Sequence, residues 1–272
     1  MQKSERILNR YLERPRTWWK PALSFLVVAA AILWSAASIE YKGVAVRGSD
    51  VAYGVIYGIF HPDANVLFDT GNFGVGYLLF ETAAIALLGT LFGGMLAVPF
   101  AFLSSDHIVP KPLAFLVRAF VLMVRTIPSL VWALIWIRVT GPGPLCGVVT
   151  QSVCSIGMIS RMYVTAIEDV DTRILESLDA MGCTRFQKVR YGILPQLMAN
   201  MVSTVIYRFD INIKDAATLG IVGAGGIGAS LIQAISTRRW GIVGAFLAGM
   251  IILMLAIEYA STKARRRLAH GS

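Results

Sequence analysis

The amino-acid sequence predicts an all-α, polytopic membrane protein of about six transmembrane helices. Of its 272 residues, 56% are hydrophobic and only 15% are charged, against about 25% charged in an ordinary soluble domain. Mean hydropathy is +0.65. Apolar runs of the roughly 20 residues needed to cross a hydrocarbon core lie near 22–40, 78–103, 117–139, 144–166, 197–219 and 240–260.

The elements follow in chain order. Residues 1–21 form a basic segment in which Lys3, Arg6, Arg10, Arg14, Arg16 and Lys20 outnumber Glu5 and Glu13. The first apolar run is longer than a secretory signal core and reads as an uncleaved anchor. With the linker behind it, this run makes up a segment over 22–76. The linker carries Glu40, Asp50, Asp63 and Asp69 against Lys42 and Arg47, as an extracytoplasmic loop should. Five further helices fill residues 77–260. The third span of the chain is interrupted by Arg118, Arg125 and Pro128, so tilted or re-entrant entry is expected there. Residues 261–272 form a second basic tail with Lys263, Arg265, Arg266 and Arg267. Cationic ends mark the cytoplasmic side, which places both termini in the cytoplasm. Arg238 and Arg239 are the exception on an outer turn, where interfacial anchoring is their one evident use.

The net charge of +9 is mostly this topology signal, so nucleic acid is not an expected partner. Cys146, Cys154 and Cys183 have no metal-ligand spacing and read as packing residues. His61, His107 and His270 are scattered, so neither a metal nor a general-base cluster is expected. No cofactor is implied, and the chain reads as non-catalytic.

Residues 223–228, GAGGIG, satisfy the G-x-G-x-x-G fingerprint of dinucleotide-binding turns, and GAGGIGAS misses a phosphate-binding P-loop because Ala229 stands where Lys is required. A dinucleotide fold needs a strand before the turn and an acid about 20 residues after it. Here an apolar span precedes the turn, and the first acid afterwards is Glu258. Both nucleotide readings fall. Two remain for Gly223, Gly225, Gly226 and Gly228: close backbone packing at the outer end of a membrane helix, or part of an outer gate.

Between the fourth and fifth spans the chain reads DTRILESLDAMGCTRFQKVRYGILPQ. Residues 172–181 suit a short helix that Gly182 can end in the left-handed conformation. Thr184 can cap a second one, and Pro195 opens the next span. Such a knob on an inner loop, within 168–195, is either a solvated basic loop or a grip for a soluble partner.

E-x-x-x-x-x-G followed thirteen residues later by Pro within I-L-P resembles the coupling motif of ABC importer permeases. Glu176, Gly182 and Pro195 match it, with Ser177, Leu178 and Gly192 as departures. YRFDINIK at 207–214, VGAGGIG at 222–228, YGILPQ at 191–196 and RTIPSLVWAL at 125–134 resemble the permeases of phosphonate, phosphite and phosphate importers more narrowly. The resemblance spans about 59–265. It implies a type I ABC importer transmembrane fold and a permease dimer. It also implies two cytoplasmic ATPase subunits docked through Glu176, Ala180, Gly182, Arg185 and Pro195, and an extracytoplasmic binding protein that delivers the solute. An importer of another small solute, or a secondary anion transporter, is the alternative. The latter would use intramembrane acids and inverted repeats, for which only Glu81 and Asp210 are candidates, and no repeat is visible.

The fifth span contains Arg208, Asp210, Asn212, Lys214 and Asp215. Charges inside a span usually face a partner or a wet pathway. At 100° per residue Arg208, Asn212 and Asp215 share one face, and Asp210 and Lys214 share another at the i, i+4 spacing of an ion pair. Two readings stand: a structural lattice of mutual neutralisation, or a substrate path of Arg208, Asp210, Asn212 and Lys214. On the second, Arg208 offers a planar fork to a phosphoryl oxyanion. Arg118 and Arg125, seven residues apart and so on one helical face, either join that path or snorkel to the inner interface.

Overall fold

The computed structural model describes residues 19–38, 48–69, 71, 73–106 and 108–270, and every regular element among them is helical. Most of the basic N-terminal segment, Glu40, Lys42, Arg47 and His107 lie outside the described residues. The chain divides into two compact units, residues 1–49 and 50–272. The first holds α1 (Trp19–Ser38), a 20-residue apolar helix with no buried residue. Its Ser24 and Ser38 hydroxyls turn back onto the Lys20 and Trp34 carbonyls, which satisfies them without a partner helix.

The second unit begins in the acidic linker, where the sequence gives no periodic signal. That linker contains α2 (Gly48–Phe60) and the single turn α3 (Ala64–Leu67). The long helices follow as α4 (Val75–Leu103), α7 (Pro144–Glu168), α10 (Leu194–Ile221) and α12 (Trp240–His270), the last continuing unbroken through the basic tail expected from residue 261. Together with α1, three of these are long and apolar enough to cross a membrane. The fourth, α10, has 28 residues, about 42 Å of helix, and falls short on apolarity because of its charges.

The interrupted third span is two helices, α5 (Lys111–Thr126) and α6 (Ser129–Thr140), bent by 88°. Ile127 is extended, with φ −80° and ψ 123°, as a residue before proline prefers. Pro128 has no N–H to give the Val124 carbonyl four residues back. The Trp132 indole N–H supplies one instead at 3.2 Å.

The α4–α7 pair is the most extensive contact in the bundle. Its seam is made of small residues: a Cβ on Gly89 would strike Gln151, and one on Gly93 would strike Ser155 and the Ser152 carbonyl. Lipid gives no hydrophobic drive to bring helices together, so close backbone approach supplies the dispersion energy instead. At the α4 C-terminus Ala97, Ala101, Ile159, Tyr163, Ile193 and Leu197 form one core cluster, and at its N-terminus Val75, Leu78, Ile227, Val243 and Phe246 form another.

Between α7 and α10 lie two short helices. Asp171 caps α8 (Thr172–Ala180) by accepting from the Arg173 N–H at 2.9 Å. Gly182, at φ +75°, ends α8 as its N–H reaches the Asp179 carbonyl and that of Cys183 reaches Leu178, the paired bonds of a left-handed helix stop. Thr184 and Gln187 cap the next turn reciprocally: the Thr184 N–H donates to Gln187 Oε1 at 2.8 Å and the Gln187 N–H to Thr184 Oγ1 at 3.4 Å. That turn, α9 (Arg185–Gln187), runs into a π-helical turn over Lys188–Ile193 before α10. Pro195 sits in the first turn of α10.

At the opposite end, residues 222–226 turn the chain into α11 (Ile227–Ser236), a helix hidden in the sequence by the glycine run before it. Its stop has the same two bonds as that of α8, from the Arg238 N–H to Ile235 and the Arg239 N–H to Ala234. Here, however, the left-handed residue is Arg238, at φ +55°.

Gly93→Leu removes the α4–α7 approach, so it abolishes accumulation of monodisperse protein in detergent. Arg238→Gly relieves a left-handed non-glycine residue that costs about 1 kcal/mol, so it raises the melting temperature, whereas Arg238→Val lowers it.

Candidate functional site

Arg208 of α10 meets α7 at the level of the α5–α6 break. Arg208 lies 14 residues into α10, about 21 Å along its axis. Its side chain is 8% exposed. Arg208 Nε donates to Ser155 Oγ at 3.1 Å and Nη1 approaches Met158 Sδ at 3.1 Å. Nη2 stands 3.9 Å from Asp215 Oδ2. A thioether is a weak acceptor, and 3.9 Å is longer than a charge-assisted hydrogen bond. The guanidinium is therefore fixed along one edge while its charge is only loosely met.

Asn212, one turn on, is fully buried. Its Nδ2 donates to Thr90 Oγ1 at 2.8 Å and Ser155 Oγ at 2.9 Å, and its backbone carbonyl accepts from Gln151 Nε2 at 2.8 Å. Asn212 is thus part of the joint between α4, α7 and α10. Asp210 and Lys214 stand apart from Arg208. They pair at 3.3 Å, and Lys214, 46% exposed, also comes within 3.9 Å of Glu258 on α12. The two-face separation expected from helical periodicity is what the side chains adopt.

Arg208 and Asp215 open on a cavity of about 250 Å³ whose other walls include Arg125, Ile127, Pro128 and Cys154. The bend between α5 and α6 makes this space, because the chain turns aside at Ile127–Pro128 and does not fill it. Arg125 is exposed, and among the described residues its guanidinium has no hydrogen bond or ion pair. Gly157 lets it lie against α7, since a Cβ there would come to 3.2 Å from Arg125 Cβ. Arg118, seven residues earlier, is spoken for: its Nε donates to the Ser104 carbonyl at 2.6 Å and its Nη2 meets Glu168 at 2.8 Å and Asp106 at 3.2 Å. Of the two arginines read together from the sequence, one is a clamp and the other is free. The arrangement as a whole suits reversible contact with a small anion: one anchored arginine, one unpaired arginine and a single carboxylate around a partly enclosed space.

The other candidate residues lie at the two ends of the bundle. Glu176 and Ala180 are exposed on α8, Gly182 has open space around it, and Arg185 begins α9. Lys188 holds Asp179 in an ion pair that ties α8 to the π turn. At the far end Gly223, Gly225 and Gly226 all have positive φ. The Gly226 N–H donates to Glu81 Oε1 at 3.0 Å and the Ile227 N–H to Thr82 Oγ1 at 2.9 Å. Pro144 Cα would be 2.8 Å from a Cβ on Gly225, and Gly228 packs on the Ala217 carbonyl. Glu81, weighed from the sequence as a relay acid, is the acceptor for this loop. Asp215 is on the Arg208 face, as the helical spacing predicts, and Ser155 is the neighbour of Arg208 least visible beforehand. Ser155 carries no signal beyond membership of a small-residue stripe on α7.

Residues 89–261 match the family described as binding-protein-dependent transport system inner membrane component. The chain is 30% identical over 236 residues to the putative phosphite transport system permease protein HtxC of Stutzerimonas stutzeri, covering 86% of this chain and 82% of that protein. It is 32% identical over 189 residues to the phosphate-import permease protein PhnE of Mycolicibacterium smegmatis, covering 69% of this chain but only 36% of that longer protein. Among solved structures, the inward-facing MetNI methionine ABC transporter superposes with a TM-score of 0.63 at 24% identity, over 70% of this chain and 94% of its own. A bacterial ABC transporter that imports the acidic polysaccharide alginate superposes at 0.62 with 15% identity, over 93% and 99%. These structural likenesses speak for the fold, that of type I ABC importer permeases. The chain belongs to the family of binding-protein-dependent transport system inner membrane components, as a permease subunit of an ABC importer.

Proposed function

We propose that the chain carries a phosphorus oxyanion (phosphite, phosphate or a phosphonate) across the bacterial cytoplasmic membrane. It works as a dimer of permeases with both termini inside, loaded by an extracytoplasmic binding protein and driven by two ATPase subunits docked on the α8–α9 segment. The observation that carries the choice of cargo is the Arg208 guanidinium, anchored by Ser155 and opening on a cavity it shares with unpaired Arg125. A fork of parallel N–H donors matches two oxygens of a tetrahedral oxyanion. The phosphite and phosphate named in the relatives' descriptions point to the same chemistry. Uptake of each radiolabelled anion by a permease-deletion strain, with and without the plasmid-borne chain, tests the assignment. Restored uptake of none of the three ends it.

Arg208→Lys keeps the charge but loses the planar fork, so transport by the assembled complex in vesicles falls about tenfold, equivalent to about 1.4 kcal/mol. Arg208→Gln falls further. Removing a buried charge strands its partner, so the amount of assembled complex is measured beside uptake, and normal transport by a well-assembled Arg208→Gln complex removes Arg208 from the path.

The proposed docking of the ATPase depends on the left-handed turn at Gly182. No atom stands within 4 Å of an added Cβ, so a substitution acts through backbone strain. Gly182→Val strains the turn and lowers co-purification of the ATPase subunit and uptake together. Gly182→Asn, which tolerates the left-handed region, retains most of both. Equal behaviour of the two variants counts against the turn as the coupling element.

A further inference from the structure

A second cavity of about 350 Å³ lies between α5 and α7 on the side of the bundle that leads to α8. Its charged wall is Arg118, Arg125, Arg161 and Glu168, and its apolar wall includes Phe115 and Leu122. Arg125 therefore lines both cavities: the one at the α5–α6 break with Arg208, and this one. Arg118 is bound to Glu168 and Asp106. Among the described residues the guanidinium of Arg161, like that of Arg125, makes no hydrogen bond or ion pair. The upper space faces two arginines and one aspartate, and the lower faces three arginines, of which Arg118 is held by Glu168 and Asp106.

Resting on the oxyanion reading above, we infer that Arg125 is a transfer residue, the second station of an arginine stair. It takes the anion from Arg208 and passes it to Arg161 in the lower cavity. A charged solute leaves a low-dielectric passage only if each site binds it weakly enough to release and the next lies close enough to share it. Arg208 is tethered by Ser155 and Asp215 and cannot follow a moving anion. Arg125 has no tether and stands on the wall common to both spaces. With Arg118 taken up by Glu168 and Asp106, Arg161 is the cation of the lower space left open to receive the anion. Snorkelling, the other use of such an arginine, places it at an interface, whereas Arg125 is the last residue but one of α5, beside the bend.

The test uses the complete complex of permease, ATPase and binding protein in vesicles, with radiolabelled phosphite as probe and phosphate and methylphosphonate run beside it. Arg125→Lys stays within about threefold of wild type, Arg125→Gln loses about tenfold and Arg125→Glu loses more, an ordering by charge that a packing role does not produce. The loss lies in maximal rate, because the half-saturating concentration is set by the binding protein outside. Co-purified ATPase subunit reports assembly. Should the Arg125 variants fail to assemble, Arg161→Gln decides, with a loss of about threefold expected and a wild-type rate overturning the inference. Wild-type transport by Arg125→Gln beside impaired Arg208→Gln overturns the stair and leaves the cargo assignment standing, whereas normal transport by both removes the reading beneath it. The series is repeated in vesicles of phosphatidylcholine alone. If the Arg125→Gln defect disappears there, the guanidinium serves an anionic lipid headgroup and the inference is overturned.

Discussion

The close approach of α4 and α7 at Gly89 and Gly93 is the constraint on which the rest of the bundle depends. It brings Ser155 against the α4 backbone, and Ser155 Oγ then accepts from both Arg208 and Asn212 of α10. Asn212 closes the joint by reaching across to Thr90. Three helices are thereby registered by two hydroxyls, one amide and two missing side chains. Hydrogen bonds between helices in lipid are individually modest, about 0.6 kcal/mol on average, so their value here lies in geometry. A shift of α7 by one turn would move Ser155 away from Arg208 and leave a buried guanidinium without its anchor.

The same joint separates structural charge from available charge. Asp210 and Lys214 satisfy one another on the α12 side, and Arg118 is held by two carboxylates and a carbonyl. These groups meet the ordinary demand that a membrane-embedded charge be paired. Arg208 meets it only partly and Arg125 not at all. Asn212 illustrates the opposite case: its position on the Arg208 face suggests contact with a solute, yet full burial makes it a strut that holds Arg208's neighbour in place. Which charges are left over depends on contacts between helices, and no spacing within one helix encodes that.

Much of the architecture is legible in the sequence because membrane physics writes it in a coarse code. Apolar runs of span length locate α1, α4, α7 and α12, and the fingerprints of helix stops and caps locate Gly182 and Thr184 on the segment between α7 and α10 and Pro195 in the first turn of α10. The bend at Pro128 is foreseeable as an interruption, although its 88° is not, since the angle depends on how Trp132 and the α7 surface receive the displaced turn. Less legible are α2, whose helix lies in a stretch punctuated by Gly and Asp, and α11, which follows a run of glycines. The π turn at Lys188–Ile193 leaves no trace in a periodicity of 3.6. Arg125 is visible as a residue but not as a free one, because its lack of a partner depends on what the neighbouring helices place around it.

The near match to a dinucleotide fingerprint is explained by backbone shape alone. Glycines at positive φ let a chain turn sharply into a helix whose first N–H groups point outward as anion donors. In nucleotide-binding folds a phosphate accepts those donors. Here the Gly226 N–H is taken by the Glu81 carboxylate and the Ile227 N–H by the Thr82 hydroxyl, so the anion comes from α4 of the same chain. Burial enforces this substitution: at the end of a membrane bundle an unsatisfied helix N-terminus is costly, and a carboxylate from the adjacent helix is the nearest remedy. The G-x-G-x-x-G spacing thus specifies the donor geometry, while the identity of the acceptor is decided by whichever helix packs against it.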